Sequence, residues 1–219
     1  MRGKLLSFSL FGESHEKAVG VLVEGGLPPG IEVSVEELKR ELERRKGIER
    51  FATKRKETDE PKILSGVFRG GRTTGTPVAV IVENRDVDSS YYNEIRNTPR
   101  PGHADYPAGI KYFGYNDYRG GGGHFSGGRL TVGGVVIAGY FAKKLLEREG
   151  IKVRAYLKRI GRVEAYVSPE DLLSSENPPY CPDKGGPSRP WLRRWKEPER
   201  PAIVLEELLR PSPSTFLRA

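Results

Sequence analysis

Residues 62–69 and 76–83 are two runs rich in β-branched and apolar side chains, separated only by Gly70-Gly71-Arg72-Thr73-Thr74-Gly75. Strands joined by so short a glycine-bearing segment pair antiparallel, because a parallel return needs a crossover of a dozen or more residues. This hairpin commits the chain to an antiparallel sheet. Residues 6–10 alternate with period two and read as a half-buried strand, and residues 19–24 read as a second one. Pro28-Pro29-Gly30 turns the chain. Ser34, with Glu37 three positions later, predicts a capping box that opens a helix running to about Lys46, with Leu38 and Leu42 facing inward at i,i+4 spacing. The Arg44-Arg45-Lys46 cluster falls in its last turn, where it serves equally well as complement to the helix dipole or as a ligand contact.

Residues 89–97 predict a short helix, followed by a loop containing His103. A glycine-dense loop, 119–128, leads into a long apolar segment, 130–148, read as a mostly buried helix closed by Gly150. Residues 151–167 supply one or two further strands, since Val153, Tyr156 and Val163 favour extended structure. With strands outnumbering helices and no internal repeat, the expected class is α+β, a mainly antiparallel sheet packed with helices. The character changes after Lys184. Both tryptophans, Trp191 and Trp195, lie beyond it amid a run of arginines, and more than half of the prolines fall between Asn177 and Ala219. Only residues 202–209 there have helical potential, and this tail is expected to be weakly ordered unless a partner covers it.

The 219 residues, 36% of them hydrophobic, suffice for one substantial core. No apolar stretch approaches membrane-spanning length, and Met1-Arg2-Gly3-Lys4-Leu5-Leu6 lacks the apolar region and cleavage site of a signal peptide, so the expected compartment is the cytoplasm. The single Cys181 excludes an internal disulfide framework, and no ligand set for a metal is visible. The net charge of +8 attracts anions, whether nucleic acid, phospholipid or a small phosphorylated substrate. No RNA-recognition, KH or zinc-finger signature accompanies the basic clusters, so nucleic acid ranks second to a small anion.

The three histidines all sit in short polar or glycine-rich signatures: Gly12-Glu13-Ser14-His15, Arg100-Pro101-Gly102-His103-Ala104-Asp105, and Gly122-Gly123-His124-Phe125-Ser126. A histidine flanked by glycine and by carboxylate or hydroxyl groups can approach a ligand and titrate near neutrality; the competing reading of each is a solvated loop residue. The loop from Arg119 to Arg129 precedes a helix and is a candidate anion cradle, with Ser126 and Arg129 as added donors. It satisfies neither the Walker nor the dinucleotide pattern. From the residues alone the site is an anionic ligand served by histidine chemistry.

Taken in order, Phe11-Gly12-Glu13-Ser14-His15, Leu27-Pro28-Pro29-Gly30, Ile63-Leu64-Ser65-Gly66-Val67, Thr73-Thr74-Gly75-Thr76-Pro77, Arg100-Pro101-Gly102-His103-Ala104-Asp105-Tyr106, Asn116-Asp117-Tyr118-Arg119-Gly120-Gly121 and His124-Phe125-Ser126 resemble the chorismate synthase family over about residues 1–184. The resemblance implies a β-α-β sandwich and conversion of 5-enolpyruvylshikimate 3-phosphate to chorismate and phosphate by 1,4-anti elimination, the last step of the shikimate pathway. It also implies reduced FMN as cofactor, NADPH as a source of reducing equivalents for the flavin, and a homotetramer without nucleic-acid or membrane partners. By the same resemblance His15 protonates the leaving phosphate, His103 protonates or holds the reduced flavin, and Ser14 and Ser126 assist proton relay. Arg45 and Arg50 contact substrate or nicotinamide nucleotide, while His124, Phe125, Ser126 and Arg129 line the flavin.

Departures from the family pattern are extra glycines at Gly25-Gly26, Gly70-Gly71, Gly120 to Gly123 and Gly127-Gly128, and Glu16 in place of the usual glycine after His15. Family members run well past this length. Residues 185–219 form a basic, proline-rich tail with the bias of an out-of-frame reading, so a frameshifted or prematurely ended gene is expected, and with it a chain inactive by itself. The alternatives are a non-catalytic anion or nucleic-acid binder, and an interaction protein that self-associates without flavin.

Overall fold

A computed structural model describes residues 3–44, 59–85, 88–120, 128–160, 163–164 and 203–210. The chain divides into two compact units, Met1–Lys46 with Thr53–Leu145, and Gly47–Ala52 with Leu146–Ala219. In chain order the elements are β1 (Ser7–Gly12), β2 (Ala18–Glu24), α1 (Val35–Arg44), β3 (Pro61–Ser65), β4 (Val67–Phe68), β5 (Arg72–Thr73), β6 (Val78–Glu83), α2 (Ser90–Glu94), α3 (Asp105–Lys111), α4 (Gly128–Arg148), β7 (Lys152–Ile160), β8 (Val163–Glu164) and β9 (Ile203–Arg210).

The first unit is built on a four-stranded antiparallel sheet in the order β1-β2-β6-β3. Alternation decides its buried face. Val19, Val21 and Val23 of β2 stand opposite Val82, Val80 and Val78 of β6, and all six are buried. Leu38 and Leu42 of α1 join them in one apolar cluster with Ile137 and Phe141 of α4. Fully burying a side chain of this size contributes about 1.5–3 kcal/mol, so this cluster carries the unit. The class is α+β, as the patterning predicts.

The expected hairpin forms, but as two ladders. Its first run breaks at Gly66 (φ 81°), where a Cβ would lie 2.6 Å from the Pro77 carbonyl oxygen, and the register slips between Ile63 and Ser65. β3 pairs with β6, while β4 and β5 close a small ribbon beyond the break.

Helix α1 starts where Ser34 predicts, with the Glu37 N–H donating to Ser34 Oγ at 3.2 Å. The reciprocal half of the capping box is replaced. The Ser34 N–H donates to the Tyr140 hydroxyl at 3.0 Å, and the Glu37 carboxylate turns to α4, accepting from Tyr140 Oη at 3.0 Å and pairing with Lys144 at 2.6 Å. The Lys144 hydrogen bond leads the causes that lower the Glu37 pKa. Helix α4 ends in a Schellman motif: Gly150 (φ 72°) donates to the Glu147 carbonyl and Ile151 to that of Leu146.

Two segments differ from expectation. The loop after His103 continues into α3, whose Pro107 stands in the first turn, where a missing N–H breaks no intrahelical bond. Residues 202–209, given helical potential from their leucines and glutamates, are instead strand from Ile203 to Arg210, paired antiparallel with β7. A segment this short cannot sustain an isolated helix, and a partner edge satisfies its backbone as strand. In the second unit β7 lies between β8 and β9.

Candidate active site

The polar centre sits at one end of the four-stranded sheet, on the turn from β1 to β2. Gly12 (φ 92°) opens the turn because a Cβ there would lie 2.3 Å from the Ala18 carbonyl oxygen. Asn84, just past β6, clamps it: its Nδ2 donates to the carbonyls of Glu13 (3.0 Å) and Glu16 (2.6 Å), and its N–H to that of Lys17 (3.0 Å). Held this way, Ser14 and His15 are 9% and 7% exposed, and Ser14 Oγ lies 3.1 Å from His15 Nδ1.

Gly120 closes on this pair from the other side. At φ 80° it packs so tightly that a Cβ would fall 2.2 Å from Ser14 Oγ and 2.7 Å from His15 Nδ1. The residue before it, Arg119, donates from Nε and Nη2 to Asp117 at 2.8 and 3.0 Å, and from Nη2 to Glu16 on the His15 turn. These two carboxylates, Asp117 first, raise the Arg119 pKa.

A third wall comes from α2. The Tyr92 ring meets His15 edge-on, centroids 4.9 Å apart, and the Arg100 guanidinium stands 5.3 Å from the centroid of the same tyrosine ring. Arg100 is held by Asp105 in a bidentate pair at 2.7 and 2.8 Å, with the Arg100 N–H donating to the same carboxylate at 2.9 Å. The pair's hydrogen bonding lowers the Asp105 pKa and raises that of Arg100. Ahead of α2, Asp88 accepts from the Ser90 hydroxyl and N–H at 2.7 and 2.9 Å. Those bonds lower its pKa, with a smaller contribution from His15.

The structure brings the side chains of the candidates Ser14 and His15 into contact and links the His103 loop to them through Asp105, Arg100 and Tyr92. His103 itself is exposed, with Nδ1 3.2 Å from the carbonyl of Pro101 in its own loop. Arg129 lies in the first turn of α4, and its side chain is outside the described residues. Arg45, Arg50, His124, Phe125 and Ser126 also lie outside them. Sequence reasoning missed Tyr92, Asn84 and the pairing partners of Arg100 and Arg119. The Asp117-x-Arg119 spacing was the available signal for the last of these. Among the described residues there is no group of three or more His, Cys, Asp or Glu side chains that could hold a metal ion, and no helix long and apolar enough to cross a membrane.

The antiparallel α+β scaffold thus brings a buried serine–histidine pair, the carboxylate-paired Arg119 and the tightly packed Gly120 together at one end of its sheet. The chain belongs to the chorismate synthase family, whose model matches residues 6–189. Similar curated relatives are the chorismate synthases of Thermococcus kodakarensis, 94% identical, Thermococcus gammatolerans, 76%, and Pyrococcus abyssi, 69%, each over 84% of this chain and 50% of the relative. A crystal structure of a chorismate synthase matches with a TM-score of 0.56 at 32% identity, covering 78% of this chain and 45% of that one. The chain spans about half the length of the curated relatives it matches.

Proposed function

We propose that this chain is the His15-bearing part of a chorismate synthase, and that in a polypeptide of family length its residues serve the 1,4-anti elimination of phosphate from 5-enolpyruvylshikimate 3-phosphate. The observation that carries this reading is the buried contact of 3.1 Å between Ser14 Oγ and His15 Nδ1, shielded by Gly120 and Tyr92. A departing phosphate needs a positioned proton donor with a pKa near neutrality, and imidazole is the side chain that supplies one. With Nδ1 engaged by Ser14, the protonated ring carries its second N–H on Nε2, the proton that phosphate departure would take.

Arg100 and Arg119 already have carboxylate partners, so in this reading Arg45 and Arg50 supply the positive charge toward the anionic substrate or a nicotinamide nucleotide, while Arg129 stands with the flavin-lining residues. The donor chemistry near His103 fits a flavin. Its exposed imidazole can donate to an anionic ring nitrogen, and Tyr106 and Ile110 on the adjoining α3 expose apolar surface of the kind an isoalloxazine ring requires. Bound reduced FMN would supply an electron-rich partner for the breaking C–O bond without net oxidation. His124, Phe125 and Ser126 complete the flavin wall, with Ser126 also in proton relay. The reading takes the cytoplasm as compartment, a homotetramer as assembly and NADPH as a source of flavin reduction. It treats residues 1–184 as the family-like part and 185–219 as a tail of other origin.

The test is anaerobic assay with chemically reduced FMN and 5-enolpyruvylshikimate 3-phosphate. A chain extended to family length should bind FMN saturably, change the flavin spectrum on substrate addition and form chorismate. The 219-residue chain should bind FMN weakly, self-associate and show no conversion. Absence of flavin binding by the extended chain, with salt-sensitive nucleic-acid binding instead, would overturn the reading in favour of a nucleic-acid binder.

A further inference from the structure

Glu16, the residue after His15, has a partner 103 positions away in sequence: Arg119. Arg119 is itself ordered by Asp117, through two side-chain bonds and a third from the Arg119 N–H to Asp117 Oδ1 at 3.0 Å. The guanidinium is therefore committed on both sides, with 26% of its side chain exposed against 15% for Asp117 and 53% for Glu16. What it holds matters more than its charge. Gly120 follows immediately and has no space for even one added carbon against Ser14 Oγ and the His15 ring.

We propose that Arg119, held between Asp117 and Glu16, is a positioning residue that seats the Gly120 backbone against the Ser14–His15 pair and so maintains the hydrogen bond between Ser14 Oγ and His15 Nδ1. The argument is geometric. A planar guanidinium with two carboxylate partners fixes direction as well as distance, which a lysine in its place would not. One partner, Asp117, is two residues away on the same loop; the other, Glu16, is the residue after His15. The ion pair thus ties the loop carrying Gly120 to the turn carrying the histidine. Asn84 fixes that turn from the sheet side, so the turn is held from two directions. The proposal rests on the proposed function only for its catalytic consequence.

The test uses the imidazole nitrogen resonances of the 219-residue chain, where three histidines make assignment tractable. Arg119→Ala should shift the His15 nitrogen resonances and its titration midpoint while leaving those of His103 in place. Glu16→Ala should do the same to a smaller degree. The double variant should add nothing beyond Arg119→Ala, because both residues act through one link. Glu16→Asp should restore part of the wild-type signature. Should Arg119→Ala not fold, Glu16→Ala and Glu16→Asp carry the same comparison.

Unmoved His15 resonances in the folded variants, or equal movement of His103, would overturn the proposal. In a chain of family length Arg119→Ala should lower kcat about tenfold with KM little changed. Shifted His15 resonances with undiminished kcat would retain the link and reject the acid role of His15, which separates the two readings.

Discussion

The turn bearing His15 and the loop bearing His103 carry similar sequence signals and have opposite architectures. His15 is enclosed: a sheet-end asparagine, a close glycine, a tyrosine edge and an adjacent serine define its position. His103 is exposed, and its ring meets a carbonyl of its own loop, while the order of that loop comes from Arg100 and Asp105 beside it. Histidines in short polar or glycine-bearing signatures therefore do not form one structural class. A buried ring held at Nδ1 suits a defined proton transfer, and an exposed ring on a braced loop suits a ligand that arrives and covers it.

The largest expected effect that separates the two is kinetic. In a chain of family length His15→Ala should lower turnover by about a hundredfold or more with substrate binding little changed, measured by steady-state assay. Lost binding at unchanged turnover would move His15 to a substrate-holding role.

Next comes the glycine that opens each segment. Gly12→Ala must place a carbon 2.3 Å from a backbone oxygen at a positive φ, and should destabilise the fold by about 2–3 kcal/mol in denaturant titration. Gly102→Ala meets nothing within 4 Å at φ 75°, so only the left-handed backbone cost, about 1 kcal/mol, should appear. Equal costs at the two sites would remove the distinction between enclosed and open segments.

Asp105→Asn tests the brace. It should cost about 1.5 kcal/mol at neutral pH, the scale of one charge-assisted hydrogen bond. The Asp105 pKa lies below its ordinary 3.8 because of Arg100, so the contribution is fully present above that value and is lost as pH falls through the lower, folded-state pKa. Acid unfolding followed by circular dichroism should therefore show a weaker pH dependence below about pH 4 in the variant. A wild-type acid profile would show that the carboxylate contributes nothing to stability.

The smallest effect is expected at His103 itself. Its replacement by alanine should change thermal stability by no more than about 0.5 kcal/mol, as for an exposed side chain away from packing. A larger loss would mean that the ring, and not only Asp105, organises the loop.

Much of the scaffold was legible in the residues. The alternation in β2 and β6, the Leu38/Leu42 spacing in α1 and the glycine closing α4 each depend on neighbours within one element, where period and cap chemistry decide. The roles given to Ser14 and His15 came from the family resemblance, and the contact between their side chains emerged only in the structure. Less legible were α3, where Pro107 and Gly109 weaken the helical signal, and β9, whose leucines and glutamates favour helix until β7 offers an edge. The glycines set apart as departures from the family pattern also changed meaning. Gly25, Gly26, Gly70, Gly71 and Gly120 all adopt positive φ, so they are conformational requirements of their turns.

The sequence by itself determined the α+β class, the antiparallel hairpin, the principal helix boundaries and the polar character of the His15 turn, because periodicity, caps and turn chemistry act over a few residues. Only the tertiary structure decided which charged group meets which. Glu37 leaves its own cap for Tyr140 and Lys144, and Glu16 pairs with Arg119, across separations of about a hundred residues. A carboxylate on a single chain can accept from many donors. Which one it meets follows from the packing of strands and helices that carries them into reach, and that packing is driven by the burial of valines and leucines far from the charges themselves.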